Sequence, residues 1–316
     1  MRRLLHRLVH SAGVLLVMSF VLYGLIGLMP GDPVELLVAS NPHVTPEDVA
    51  RLRHLHGLDQ PLTTRYLSWL GRVLGGDFGT SRLSTGPVTG VLPTPLLNTL
   101  VLMGTSLVLT LLVALPMGVA AALKPHSMLD RAVGLLAFAG ISVPVFWLGL
   151  MLIALFAVIL GWLPAGGVAT IGEGGIADRL RHLILPVATL TLAGIGQHSR
   201  YMRAAMIEAL RQDHIRTARA KGASRSRIVL GHALRNAMIP VVTVLAHDFG
   251  TLFSGALITE TVFAYPGMGR LIYDAIQGND YDLALAALLL STLMTLAGNA
   301  LADAACLWLD PRIRLR

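Results

Sequence analysis

The sequence predicts an all-α, polytopic membrane protein with six transmembrane helices, an extracytoplasmic helical cap and a cytoplasmic elbow. Two features of the composition indicate this fold. Of the 316 residues, 54% are hydrophobic and only 14% are charged, whereas a soluble domain has about 25% charged residues. The hydrophobic residues also fall into long runs, and a helix needs about 20 apolar residues to cross a bilayer. One membrane domain therefore explains the chain better than several soluble domains.

Six apolar runs supply the expected spans, which cover about residues 12–29, 96–123, 133–160, 183–197, 239–257 and 283–307. The first run follows three arginines, as a secretory signal would, but it ends in Leu-Met-Pro at residues 28–30 without the small residues of a cleavage site. We therefore expect residues 1–29 to form a retained tail and first span. Residues 30–95 are expected to form the cap, and residues 96–316 the transmembrane core with the other five helices.

The cap contains two predicted amphipathic helices. Residues 45–57 begin with a capping threonine, a proline and two acids, and they end with a glycine, which is the usual order for a helix. A second helix follows Pro61 and ends at Gly75, with Tyr66 and Trp69 on its apolar side. Trp69 suits a position at the membrane surface, so we expect this helix to lie there.

The distribution of charge predicts the orientation. Segments on the N-terminal side of the expected spans hold 17 of the 25 basic residues, whereas the other side holds most of the acids. Connections rich in lysine and arginine stay in the cytoplasm. Both termini and the elbow are therefore expected in the cytoplasm, and residues 30–95 outside it. The net charge of +7 then reflects membrane topology, not a nucleic-acid-binding surface.

The elbow, residues 206–238, is the polar island around which the chain is organised. Its first predicted helix runs from about Met206 to Lys221, and Gly222 follows as a residue that can end a helix in a left-handed conformation. Ser224 can cap a second helix. Both helices keep an apolar side, which a loop that only fixed topology by its charge would not need. The elbow is therefore interpreted as a basic and partly apolar surface that another protein holds.

Sequence motifs for catalysis are absent. The chain has no Gly-Lys-Ser/Thr phosphate loop, no HExxH, no CxxC and no GxSxG. Its single cysteine, Cys306, lies in an apolar run, so neither a disulfide framework nor a cysteine-based metal site is expected. The chain itself is therefore expected to be no enzyme and to carry no cofactor or metal.

Two carboxylates, Asp248 and Asp303, fall inside the expected fifth and sixth spans. A carboxylate at mid-membrane costs about 2.5–3.5 kcal/mol on insertion scales, so each needs an explanation. Asp248 either lines a translocation path or pairs with His247 or a neighbouring helix. Asp303 is interpreted as the partner of Asn299.

At the elbow the sequence resembles the EAA loop of ABC-transporter inner-membrane permeases, and more narrowly their dipeptide, oligopeptide and nickel subfamily. One departure is that the general pattern ends in Leu-Pro, whereas this chain has Leu234-Arg235 and a proline only at position 240, a form usual in the subfamily. The resemblance covers nearly the whole chain through pieces in the same order: MPGDPVELL from Met29, GLDQPL from Gly57, GDFGTS from Gly76, HIRTARAKGAS from His214, HALRNAMIPVVT from His232, ITETVFAYPGMGR from Ile258 and the terminal LDPRIR.

The resemblance implies a channel-forming subunit in a bacterial inner membrane. Its expected partners are a homologous second permease, two cytoplasmic ATPase subunits that hold ATP and Mg²⁺, and an extracytoplasmic substrate-binding protein that meets the cap and residues 267–281. Within the elbow, residues 208–222 would form the coupling helix that sits in a groove of an ATPase subunit. The residues implied in coupling are Glu208, Ala209, Arg216, Ala218, Ala220, Lys221, Gly222 and Ser224.

The resemblance leaves the transported substrate open. Di- and oligopeptides, nickel or metal chelates, and opines are all carried within the subfamily. A proton-coupled secondary transporter is the rival of another class. Such a transporter would be expected to show more than two intramembrane carboxylates and a sign of internal repetition, and the sequence has neither.

Overall fold

The computed structural model of the chain describes residues 2–28, 59–172, 174–251 and 256–309, together with the single residues 45, 47, 51 and 54. The helix expected over residues 45–57 and the side chain of Asp303 lie outside the described part. Where the chain is described it is almost entirely helical, which confirms the all-α fold class.

The described residues form twelve α-helices and one small β-hairpin. They are α1 (Arg2–Gly27), α2 (Leu62–Leu74), β1 (Thr80–Ser81), β2 (Gly86–Pro87), α3 (Val88–Val91), α4 (Pro93–Leu123), α5 (Met128–Ser142), α6 (Val145–Leu152), α7 (Ile176–Arg211), α8 (Asp213–Ala220), α9 (Leu234–Thr251), α10 (Leu257–Val262), α11 (Met268–Gln277) and α12 (Tyr281–Leu309). Two wider, π-helical segments continue the adjoining helices, Ile153–Ile159 after α6 and Arg227–Ala233 before α9.

Membrane-spanning length and composition are found in four described helices: Val9–Ile26, Val88–Leu123, Arg227–Leu245 and Tyr281–Leu301. A fifth span results if the pair Met128–Gly140 and Val145–Ile159 is counted as one, although the two helices meet at 98°. The break falls at Pro144, which precedes α6 with an extended backbone, at φ −59° and ψ 134°.

The expected fourth span lies within α7, and this helix does not meet the same length and hydropathy criterion. Its apolar stretch begins after His182 and ends before Gln197, so it is shorter than the about 20 residues that a straight span needs. The count of six spans therefore stays a prediction, with four or five supported by the described helices.

The described residues divide into two compact units. The first comprises those up to Pro95 together with Leu271–Leu293, and the second comprises Leu96–Arg270 together with those from Met294 onward.

In the first unit, the aromatic side of α2 packs on α1. The hydroxyls of Tyr66 and Ser19 lie 2.8 Å apart, and the ring of Tyr23 stands 5.3 Å from that of Trp69. Trp69 is only 5% exposed. The predicted apolar side of α2 is thus confirmed, but Trp69 packs against α1 and is not exposed on a surface, because ring contacts with the first span cover it.

The same unit contains a hairpin that the expectation of a purely helical cap did not include. Thr80 pairs with Pro87, and Ser81 with Gly86. The buried carboxylate of Asp280 accepts hydrogen bonds from the Ser81 hydroxyl at 2.6 Å and the Leu83 amide at 3.0 Å. A short hairpin with two residues per strand is marginal alone, so this carboxylate supplies the contacts that hold it.

In the second unit, glycines allow α4, α5 and α7 to approach closely. A Cβ atom at Gly118 of α4 would lie 2.6 Å from the Ser199 carbonyl oxygen of α7, and one at Gly196 of α7 would lie 2.6 Å from the Ala137 carbonyl oxygen of α5. Small residues at such crossings are the usual way in which membrane helices bring their backbones together.

The turn between α10 and α11 is built around a fully buried carboxylate, Glu260. The Thr99 hydroxyl donates to it at 2.7 Å and the Arg270 amide at 2.9 Å. Thr99 in turn accepts the Met268 amide at 2.8 Å. Burial raises the pKa of the neighbouring Tyr265 to about 12, and the charge of Glu260 acts in the same direction. The chain turns over residues 263–267 before α11 begins at Met268, and Glu260 anchors this turn.

Candidate coupling site

The elbow begins with a break that the sequence did not indicate. The expected single helix from Met206 to Lys221 is wrong, because α7 continues to Arg211 and the chain is extended at Gln212, with φ −67° and ψ 150°. A separate helix, α8, then starts at Asp213. An acid in the first turn is favourable there because the amide groups at a helix start carry partial positive charge.

Gly222 ends α8 in the predicted way. Its φ is +77°, in the left-handed region. The Gly222 amide donates to the Arg219 carbonyl at 3.0 Å, and the Ala223 amide donates to the Ala218 carbonyl at 3.1 Å. This pair of bonds is the Schellman motif, which satisfies the last carbonyls of a helix and reverses the chain.

Ser224 caps the second elbow helix, as predicted. Its hydroxyl accepts the Arg227 amide at 3.4 Å, and its carbonyl accepts the Ile228 amide at 3.0 Å. The helix that follows passes through the π-helical segment and continues into α9 up to Thr251. The second elbow helix and the expected fifth span are therefore one helix. Residues 252–255, the end of that expected span, lie outside the described part.

An apolar core fastens α8 to the helices on both sides. Ile215 of α8 is fully buried, and its partners come from the ends of α4, α7 and α9 and from the π-helical segment. The buried residues of this core are Ala122, Met202, Met206, Ala209, Ile215, Ile228, Val229, Ala233, Ala237 and Val241. The elbow is thus a packed structure, and displacement of α8 requires either that its neighbours move too or that this core opens.

The eight residues implied in coupling lie in two environments. Ala209 is buried in the core and Ala218 is half-buried. The other six form the exposed side of the elbow: Glu208, Arg216, Ala220, Lys221, Gly222 and Ser224.

Several residues outside this set complete the site. Ile215 is the anchor of α8, and its position as the one large apolar residue in DHIRTARA was the signal for it. The Asn236 side-chain amide donates a hydrogen bond to Nε2 of His214 at 2.8 Å, which ties α8 to α9. Leu230 is 63% exposed, and it lies on the same helix as the exposed Arg225 and Arg227. The outer surface therefore combines cations with an apolar side chain.

Asp248 pairs with a histidine of another helix. Its Oδ2 atom lies 2.7 Å from Nε2 of His198 on α7. The other ring nitrogen of His198 lies 2.9 Å from the Gly194 carbonyl, which only accepts hydrogen bonds, so that nitrogen carries a hydrogen. A second proton must then lie between Nε2 and the carboxylate, because two acceptors would repel each other. The predicted pairing of Asp248 with a neighbouring helix is therefore observed, whereas the side chain of His247 lies outside the described part of the chain. Whether Asp248 also lines a path stays a prediction.

The fold and the elbow together define a multi-pass helical membrane protein with a folded connection between two long helices. Comparison with known proteins narrows this class. The model of the "binding-protein-dependent transport system inner membrane component" family matches residues 114–315, and the N-terminal model of the same kind of membrane component matches residues 1–120.

Relatives match along the whole chain. The oligopeptide transport system permease protein AppB of Bacillus subtilis is 38% identical over 312 residues, 98% of each chain. The glutathione transport system permease protein GsiC of Salmonella choleraesuis is 39% identical over 99% of this chain and 98% of its own. An inward-facing structure of the MetNI methionine ABC transporter has a similar fold, with a TM-score of 0.56 and 20% identity, over 68% of this chain and 94% of that one.

The chain belongs to the family of inner-membrane permease components of binding-protein-dependent ABC transport systems. The expected resemblance is thereby confirmed.

Proposed function

We propose that this permease forms the translocation path for di- and oligopeptides in an ATP-driven importer. A homologous second permease completes the path, two ATPase subunits supply the energy, and a binding protein delivers the substrate. The relatives named for oligopeptide and glutathione transport support a peptide substrate, since glutathione is itself a small peptide. Nickel, metal chelates and opines are the alternatives that the experiment must separate.

The observation that carries the proposal is the elbow. It is a folded element with its own apolar core, and its outer side presents Arg216 and Lys221 together with the exposed Leu230. A loop that only joined two spans would not need a fully buried anchor such as Ile215. Such a surface suits docking into a groove of an ATPase subunit.

In this proposal the elbow also transmits energy from the ATPase subunits to the path. Closure of the ATPase pair on ATP would displace α8, and the core around Ile215 and Met206 would make the joined ends of α7 and α9 follow. Rigid-body movement of packed helices is an established way of alternating access to a central path. In this scheme the exposed coupling residues bind the ATPase. Ala209 and Ala218 instead pack in and against the apolar core and hold the helices of the elbow together.

The test is reconstitution of the permease with its second permease, ATPase subunits and binding protein in proteoliposomes. We expect ATP-dependent uptake of a labelled tripeptide. If Ni²⁺ or an opine were taken up and the peptide were not, the proposed substrate would be wrong, but the proposed ATP-driven import mechanism would still hold. Peptide uptake driven by a proton gradient without ATP would refute the importer and favour a secondary transporter.

The proposed orientation has a separate test. Arg225 is exposed on the elbow, so an Arg225→Cys variant in a Cys306→Ser background should react with a membrane-impermeant thiol reagent only after the cells are opened. Labelling from outside intact cells would overturn the placement of the elbow in the cytoplasm.

A further inference from the structure

An ion pair outside the elbow links α5 to α7. The Arg203 guanidinium donates to the Asp130 carboxylate from Nε at 2.5 Å and from Nη2 at 2.8 Å. The Asp130 side chain is only 8% exposed, and that of Arg203 is 30% exposed. Two parallel bonds between a guanidinium and a carboxylate fix the relative orientation of the groups as well as their distance. An ion pair on the protein surface would need neither two parallel hydrogen bonds nor a carboxylate that is only 8% exposed.

The same carboxylate also shapes the turn between α4 and α5. Asp130 accepts the His126 amide at 2.8 Å, and its own amide donates to the Ser127 hydroxyl at 3.2 Å. His126 has a φ of +63°, an uncommon conformation for a residue with a side chain. The Asp130 carboxylate, which binds Arg203, therefore also holds this turn in a single conformation.

Arg203 lies where α7 enters the elbow core. Met202 and Met206, on either side of it along the helix, both belong to that core. On the same stretch of α7, the backbone of Ser199 and Arg203 packs directly against Gly118 of α4. Helices α4 and α5 are joined by residues 124–127 and form a helical hairpin, the α4–α5 hairpin. This hairpin is fastened to the part of α7 that leads into α8, through the close packing of α4 at Gly118 and through the ion pair of α5 at Asp130.

We propose that Asp130 and Arg203 are positioning residues for energy coupling, and that their ion pair makes the α4–α5 hairpin follow the elbow. This inference rests on the proposed function, because it assumes that the elbow receives the movement of the ATPase. The ion pair contacts neither substrate nor ATPase in this scheme; it keeps α5 in register with α7 while both move. Without the ion pair, the elbow would still move, but its movement would not be transmitted fully to α5.

The test uses the reconstituted complex and measures ATP hydrolysed per peptide transported. Asp130→Asn keeps the shape of the side chain but removes the ionic bond, and Arg203→Gln removes the guanidinium. We expect each variant to lower uptake by about tenfold while ATP hydrolysis falls much less, because the bonds that keep α5 in register with α7 are weakened while the exposed side of the elbow is unchanged. The exchanged pair, Asp130→Arg with Arg203→Asp, should recover part of the coupling.

Arg200→Gln is the matched control, since Arg200 is exposed on the same helix one turn earlier. It should keep the wild-type ratio of ATP to peptide. Uptake and hydrolysis are normalised to complex yield, so that loss of assembly is not mistaken for uncoupling. A wild-type ratio in both single variants, or equal loss of uptake and hydrolysis with no recovery in the exchanged pair, would overturn the proposal. Absence of ATP-driven uptake in the wild-type complex would instead overturn the proposed function.

Discussion

Substitution of Gly222 tests whether the shape of the elbow matters for coupling. Gly222 has a φ of +77°, and a Cβ atom there would meet nothing within 4 Å. The effect of a side chain is therefore backbone strain alone, without a clash. The left-handed conformation costs an ordinary residue about 1–2 kcal/mol, whereas asparagine adopts it more readily. Valine, with its branched Cβ, should be at the upper end of this cost or above it.

The strain can be relieved by unwinding the last turn of α8. That would break the two hydrogen bonds of the Schellman motif, Gly222 to Arg219 and Ala223 to Ala218, each with a net contribution of about 0.5–1.5 kcal/mol. The cost of keeping the turn and the cost of losing it are then similar. Gly222→Val should lose the turn in a large fraction of molecules, whereas Gly222→Asn should keep it.

The assay is peptide uptake and peptide-stimulated ATP hydrolysis in the reconstituted complex. For Gly222→Val we expect both to fall together, by about three- to tenfold, while the spans still insert and the protein is made at wild-type levels. Gly222→Asn should stay within about twofold of the wild type. Gly231→Ala is the matched control in the same elbow, because its Cβ would come no closer than 3.9 Å to Arg227. Normal uptake by the valine variant at normal expression would refute the elbow as the coupling element.

Three further predictions concern the helices around the elbow. If Asp248 serves translocation, Asp248→Asn should assemble fully but lose uptake; if the pair with His198 is only structural, Asp248→Asn should keep both. Gly118→Ala should lower the stability of the purified protein by about 1–3 kcal/mol through overpacking, measured as thermal unfolding in detergent, whereas Gly104→Ala, with nothing within 4 Å, should be neutral. Glu260→Gln should lower the same unfolding temperature, because an amide donor would then face the hydrogen-bond donors that now bind the buried carboxylate; an unchanged temperature would show that the turn does not depend on this charge.

Much of the elbow could be predicted from the sequence because its signals are local. Gly222 and Ser224 act through hydrogen bonds to residues within five positions of them, so the residue types alone indicate where one helix ends and the next begins. The break at Gln212 was missed because glutamine is a good helix former and carries no signal for an extended backbone.

The spans were predictable in part for a similar reason. Apolar runs such as those in α1, α4 and α12 satisfy the length of a bilayer without reference to the rest of the chain. The run in α7 is shorter and has polar ends, so composition alone does not establish it as a span. Its place in the second unit depends on its neighbours, through Gly196 against α5 and the elbow core at its end.

The sequence by itself therefore determined the fold class, the family and the local turns of the elbow, because hydrophobic runs, glycines and caps act over short distances. Only the tertiary structure decided which polar or charged partner each buried charged group meets. His198 and Asp248 are 50 residues apart in the chain, Arg203 and Asp130 are 73 apart, and Thr99 and Glu260 are 161 apart. A buried charge requires a partner, but helix packing selects that partner, since it alone sets which faces of distant segments come together.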